Sequence, residues 1–440
     1  MSQQHTPRRN QLSRRQMLRQ TALAGIGVWT TAKSWGGQTP RSPNEKLHVA
    51  GIGVGGMGGA DIAGCAGENV VALCDVDDRR AADSFKRFPQ AKRYRDFRKM
   101  LDEMGRQIDA VVVGTPDHSH APPAVMAMKM GKHCYCEKPL AHTVFEARTM
   151  IEVARKNKLA TQMGTQIHAG ENYRRVVELI ECGAIGPVGE VHVWHPVAYG
   201  GGDRPQETPP VPPELDWDLW LGPAPYRPYH PCYLPGSWRS WWDFGTGGLG
   251  DFGCHYMDLP FWALKLRHPT TVQTDGPPIH PERTSPGLVV RYEFPARGDL
   301  PPVKMTWYDG GKRPPFLAER KIPGWGAAVL FLGAKGMLIA DYGRHQLLPE
   351  DQYAGFQRPE PTIPKSIGHH AEWIRACKTG EPTTCNFDYS GALAEAVLLG
   401  TVSHRVGGKK LQWDPVQLKA IGCPEADPFI RKEYRQGWTL

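Results

Sequence analysis

Between residues 46 and 165, short apolar runs alternate with longer stretches whose apolar positions recur at helical spacing. KLHVAGI (46–52), VVALCDV (70–76), AVVVGTP (110–116) and KHCYCEKP (132–139) read as successive strands, and LATQMGTQ (159–166) closes the series. The segments between them, ADIAGCAG, DDRRAADSFKRF, APPAVMAMKMG and FEARTMIEVARKNK, carry helical patterning. Strands that are apolar on both faces and alternate with helices predict a parallel sheet covered on both sides.

The pattern changes near residue 166. A helix (NYRRVVELIECGAIG) precedes a strand (GEVHVWHPV), a Pro-rich aromatic stretch (204–236) and a glycine run that leads into the helical DFGCHYMDLPFWALK. TVQTDG, LVVRYEF, VKMTWYDG, AVLFLGAK and GMLIAD then follow as strands joined by short turns, which predicts an antiparallel sheet. The helical HHAEWIRACKTG and SGALAEAVLLGTVSHRVG come last. The expected α/β architecture is a doubly wound domain over 46–165 and an α+β domain over 166–420, followed by a tail over 421–440, with a ligand between the two domains.

Composition refines this picture. With 40% hydrophobic and 22% charged residues the chain is globular, and its 49 glycines and 40 prolines point to many turns and long loops. The net charge of +8 belongs mostly to residues 1–40, which hold Arg8, Arg9, Arg14, Arg15, Arg19 and Lys33 and no acid; the remainder carries only +2. No nucleic-acid surface is expected. The stretch SRRQMLRQTALAGIGVW (13–29) sets an arginine pair before an apolar run too short to span a membrane, with small residues after it. This order predicts a twin-arginine export signal and a periplasmic destination, with retention of the leader as an anchor the other outcome. No later segment reads as transmembrane. Ten cysteines show neither a zinc spacing nor a disulfide framework, and His192, His195, His369 and His370 have no acid or cysteine to complete a metal set. No metal is expected.

Three motifs carry chemistry. Gly53-Val-Gly55-Gly-Met57-Gly58 follows a strand and opens a helix, the arrangement in which glycines let backbone approach a pyrophosphate at a helix N-terminus. The register beginning at Gly51 also fits the letters, but the later one leaves the strand whole. The next strand ends at Asp75, placed to bond a ribose diol, which favours NAD over NADP; Arg79 and Arg80 nearby pull the other way. Lys138, in CEKP at the end of a strand, points toward the nicotinamide end, where it can hydrogen-bond a substrate hydroxyl. Asp251 and His255 stand four apart on one helix face, with Asp258 extending it, and a carboxylate beside an imidazole suits proton transfer from an alcohol.

The order GVGGMG, Asp75, TPDHSH, EKP and DFGCHYMD resembles the Gfo/Idh/MocA oxidoreductase family over roughly residues 46–410. The resemblance implies a Rossmann domain, then a domain with an open, mainly antiparallel sheet, and NAD- or NADP-dependent redox chemistry on sugars, cyclitols or related polyols. It implies Lys138, Asp251 and His255 as the catalytic set, with His255 at the reacting hydroxyl. Thr115, Pro116, His120 and Glu137 would line the cofactor, Gln166 would lie at the domain junction, and Tyr173 and Arg174 would stand beside the substrate. Trp238 and Trp242, among the aromatic residues of 216–242, are candidate sugar-stacking faces, although aromatic residues in a long loop also serve as packing. Family members with exposed sheet faces pair, so a homo-oligomer (dimer or tetramer) is expected. Export implies that the cofactor travels inside the folded protein. Either a second substrate reoxidises it, or the hydride returns to the same molecule in a redox-neutral epimerase, lyase or glycosidase cycle. A non-catalytic sugar-binding protein that retains NAD is the alternative of another class.

Overall fold

The computed structural model describes residues 45–200 and 202–440. The expected leader lies outside them. Six parallel strands form the first sheet: β1 (His48–Ile52), β2 (Asn69–Cys74), β3 (Lys92–Tyr94), β4 (Ala110–Val113), β5 (His133–Glu137) and β6 (Thr161–Gly164), in spatial order β3-β2-β1-β4-β5-β6. The order reverses between β1 and β4, so their carboxyl ends open the crevice where a ligand is received. One strand escapes the hydrophobic pattern. β3 reads KRY and sits at the sheet edge with its side chains partly in water, so no apolar run marks it. AVVV is therefore the fourth strand and HCYCE the fifth. The helix after β3, Phe97–Met104, also lacks an obvious start signal beyond Asp96, whose side chain caps it by accepting from Arg98 N.

The second sheet has nine strands. Those that matter here are β7 (Val188–Trp194), β8 (Thr271–Asp275), β9 (Val289–Phe294), β10 (Val303–Tyr308) and β11 (Ala328–Gly333). All its pairings are antiparallel except that of β7 with β10. One face packs on the long helix Phe387–Arg405, which is buried almost all round, as its lack of a polar stripe requires. The other face is not bare. Trp194, Tyr308, Leu330 and Ile339 are buried there with Leu317 and Ile322 of the chain's own segment 316–325, which narrows the exposed face on which the expected pairing rests.

The two sheets are tied together through buried polar groups. Arg148, on the helix Val144–Lys156, donates to both carboxylate oxygens of the fully buried Glu395 at 2.7 and 2.8 Å. Such a bidentate pair fixes orientation as well as distance. From the C-terminal half, Trp373 and Cys377 enter the core that lines β1 and β4. Among the described residues, no helix is long and apolar enough to cross a membrane.

The aromatic stretch does not hang free. Asp216 N donates to Val76 O and Asp78 N to Glu214 O, so the segment runs beside the end of β2 like a short extra strand. Trp217, Trp220, Tyr233, Trp238, Trp241 and Phe244 bury one another in a small core of their own. The C-terminal tail lies alongside. Arg435 N donates to Pro223 O, and Trp438 packs on Phe97 under the Arg98 guanidinium.

Candidate active site

A cavity of about 650 Å³ runs from the glycine turn to His255, near the end of the helix Gly247–Tyr256. At one end its walls are backbone. Gly53 has φ +73°, and a Cβ there would stand 2.7 Å from Thr115 N. A Cβ on Gly58 would stand 1.9 Å from Gly53 O, and the helix Met57–Gly64 begins one residue earlier. Glycine is thus required at the positions of the later register, while Gly51 lies within β1. Asp75 closes the turn from below: Oδ2 accepts from Val54 N (2.8 Å) and Gly55 N (3.1 Å), and Oδ1 accepts from Asp77 N (3.0 Å). Burial pushes its pKa up to about 6 against the pull of those N–H groups. Met57, Thr115 and Pro116 line the same end, as do Arg79, Arg80 and Arg95. Thr115 Oγ1 and Ser119 Oγ are buried there without a partner, which leaves polar atoms for a ligand to satisfy. His120 has a different position in the wall. Its ring nitrogens stand 2.8 Å from Pro139 O and 2.7 Å from Thr115 O, so it ties the ends of β4 and β5 together while bordering the cavity.

At the other end the walls are side chains from four elements. Glu137, the last residue of β5, is fully buried; its Oε1 accepts from Gln166 Nε2 at 2.6 Å, and burial holds its pKa well above the usual carboxylate range. A Cβ on Gly164 would stand 2.0 Å from that oxygen, so β6 must offer glycine beside it. Lys138 follows, and its Nζ donates to Asp251 Oδ1 (2.5 Å) and Asp251 O (2.9 Å). Tyr199 OH donates to Asp251 Oδ2 at 2.7 Å, and Arg239 Nε lies 3.1 Å from Oδ1. Burial alone would raise the Asp251 pKa; the Lys138 and Arg239 charges overturn this and hold it well below the usual range. His255 borders the cavity, and burial, with Lys138 next, lowers its pKa to about 3, so the ring is neutral at neutral pH. Its Nδ1 is buried without a partner.

This geometry corrects several expectations. Asp251 and His255 share a helix face but no hydrogen bond; the carboxylate is spent on Lys138 and Tyr199, so Asp251 positions the lysine and not the imidazole. Asp258 does not extend that face. The helix ends at Tyr256, a new one starts at Asp258, and this side chain turns away to His168 Nδ1 (2.9 Å) and Tyr389 OH (2.7 Å). Tyr173 is fully buried and donates to His255 O at 3.0 Å, so it holds the helix backbone and does not reach the cavity. Arg174 is stacked against Trp262, likewise outside the cavity. Trp238 lines the cavity, but Trp242 faces a separate one beside Arg405, because the turn between them sends the rings to opposite sides. Tyr199, Arg239 and the buried Asp117 belong to this end and were not anticipated. Arg239 and Tyr199 come from loops without a motif; Asp117 stood in plain view in GTPDHSH.

Two family models match the chain: the oxidoreductase-family, NAD-binding Rossmann fold of Gfo/Idh/MocA proteins over residues 47–165, and that family's C-terminal α/β domain over 188–297. The chain carries both domains of the Gfo/Idh/MocA oxidoreductase family. Among curated relatives, inositol 2-dehydrogenase of Salmonella typhimurium is 30% identical over 150 residues, 33% of this chain and 44% of that protein. A glycosyl hydrolase family 109 protein of Shewanella pealeana is 24% identical over 282 residues, 56% of each. The matched part thus spans about half the length of these relatives. Among solved structures, the Bordetella pertussis WlbA dehydrogenase in complex with NADH and UDP-GlcNAcA superposes with a TM-score of 0.60 at 16% identity, over 84% of this chain and 99% of that one. Aldose-aldose oxidoreductase from Caulobacter crescentus gives 0.52 at 15% identity, over 84% and 100%. At these identities the structures speak for the fold.

Proposed function

We propose that this chain is an NAD-dependent oxidoreductase that acts on a CH–OH group of a carbohydrate and keeps its cofactor from one turnover to the next. The observation that carries the proposal is the placement of Lys138, fixed by Asp251, beside His255 in the same cavity as the glycine turn. When bound, NAD supplies the acceptor for the substrate's hydride. Gly53, Gly55, Met57, Gly58, Thr115 and Pro116 would hold it, and Asp75 would receive the ribose diol, which favours NAD over NADP.

The remaining steps belong to the chain. Lys138, an ammonium beside the Asp251 carboxylate, donates a hydrogen bond to the substrate oxygen and stabilises it as negative charge develops. His255, kept neutral by burial, offers a ring lone pair to the hydroxyl proton. Glu137 and Gln166 form a buried brace under this end, and Trp238 presents a face to the sugar ring. Retention of the cofactor is supported by the cover over its seat: Leu219, Trp220, Tyr229 and Leu234 of the aromatic stretch and Trp438 of the tail all line the cavity. A retained cofactor accords with export through the twin-arginine route, where free NAD is scarce. It also accords with a cycle closed on one substrate, in which a transient keto group allows epimerisation, elimination or glycosidic cleavage.

The test is to denature the purified protein, identify the released nucleotide by mass spectrometry, and screen sugars against the intact protein while watching the reduced-nicotinamide absorbance band. Growth or bleaching of that band supports the proposal. A silent band with NAD bound marks a non-catalytic binding protein, and cleaved glycoside without net redox change marks the redox-neutral cycle.

A further inference from the structure

Arg239 sits at the reacting end with most of its guanidinium unused. Its Nε faces Asp251 Oδ1, its planar group lies 4.2 Å from the Trp238 ring centroid, and its side chain keeps 27% of its surface exposed. Nη1 and Nη2 make no hydrogen bond to any described residue. Gly245 packs directly on its backbone, where a Cβ would strike Arg239 Cα at 2.6 Å, and so fixes where the side chain starts. Lys138 and Arg239 both lean on the one oxygen Oδ1, while Oδ2 is taken by Tyr199 OH. The other acid facing this group, Asp117, is fully buried and accepts from Thr246 Oγ1 at 2.7 Å; burial pushes its pKa up to about 7, so it is a poor counter-ion. Two fixed cations therefore share one full negative charge at the edge of the cavity.

We infer that the free fork of Arg239 receives a carboxylate of the substrate, so that the carbohydrate acted on is an acidic sugar such as a uronate. Asp251 and Trp238 hold the guanidinium plane in place before the ligand arrives, and a fork so fixed matches the two oxygens of a carboxylate, which a neutral sugar cannot supply. Arg239 is then a specificity residue: it binds the substrate's acid while Lys138 and His255 attend to the hydroxyl. The inference rests on the proposed oxidoreductase activity for its substrate class, but its test is one of binding.

Calorimetry of the NAD-loaded His255→Asn protein, slowed in turnover with both cations kept, with glucuronate and with glucose separates the two. Glucuronate is expected to bind about 10- to 100-fold more tightly, the worth of a charge-assisted hydrogen-bonded pair. Arg239→Gln should erase that difference. Arg239→Lys, which keeps the charge and loses the fork, should leave part of it and guards against a loss that merely reports misfolding, with retained NAD as the control for fold. Equal or tighter binding of glucose, binding of neither sugar, or a preference that survives Arg239→Gln overturns the inference. If glucuronate is preferred yet leaves the cofactor band of the unmutated protein unchanged, the acid site stands and the oxidoreductase reading falls. In the unmutated protein the preference should appear in KM, with kcat for the two sugars closer together.

Discussion

At the nucleotide end of the cavity the chain works with its backbone: glycines that admit no side chain, amide N–H groups turned onto one carboxylate, and a helix start. At the reacting end it works with side chains drawn from the residue after β5, a loop, the short turn Ser237–Ser240 and a helix, crowded around the carboxylate of Asp251. The first end needs a short contiguous motif. The second needs residues that lie 52 and 113 positions from Asp251 in the chain, namely Tyr199 and Lys138, to arrive together. One end can be read from letters; the other depends on the fold having formed.

The contrast predicts separable failures. Lys138→Met should lower turnover by about 10³-fold, within the range of a lost acid–base group, and leave bound NAD in place; loss of both would show that the ends are not independent. Gly58→Ala pushes a methyl group against Gly53 O and should abolish NAD retention and lower Tm, visible by mass spectrometry and thermal denaturation. Asp251→Ala strands two cations and should cost about 3–5 kcal/mol of stability along with most of the activity, measured by denaturant titration. Trp438→Ala removes one face of the cover and should speed cofactor release about tenfold, read from the decay of bound NAD on dilution.

The smallest effect is in pH and should divide the ends again. Asp75 has its pKa raised to about 6, so as pH falls through 6 it gains a proton and loses its power to accept from Val54 N, Gly55 N and a ribose diol; NAD affinity should weaken below that point. Asp251 is held far lower and stays ionised across the same range, so the carboxylate that fixes Lys138 keeps its charge while NAD affinity falls; at this end the group that responds is Asp117, pushed up to about 7.

The helices and strands of the nucleotide domain were legible because their apolar runs are continuous, and β3 was not because an edge strand of KRY has nothing to bury. Lys138 and His255 were legible through motifs. Their partnership was misjudged: spacing of four on a helix puts Asp251 and His255 on one face, but it does not say which neighbour from another element will claim the carboxylate first. Here Lys138 and Tyr199 claim it. Trp238 and Trp242 show the same limit, since the single helical turn Ser237–Ser240 that holds Trp238 ends before Trp242, and helical spacing carries no rule across that break. The resemblance sets Tyr173 beside the substrate, and the fold turns it the other way, so that it bonds the backbone of His255 from within the core.

The most direct test of the account is to carry the purified protein through exhaustive dialysis, then denature it and quantify nicotinamide dinucleotide per chain while following the absorbance of an intact portion as an acidic or neutral sugar is added. Close to one NAD per chain is expected, with a band that rises on addition of substrate without added cofactor. A protein that emerges without nucleotide, or one whose bound NAD never changes with any carbohydrate, would contradict it.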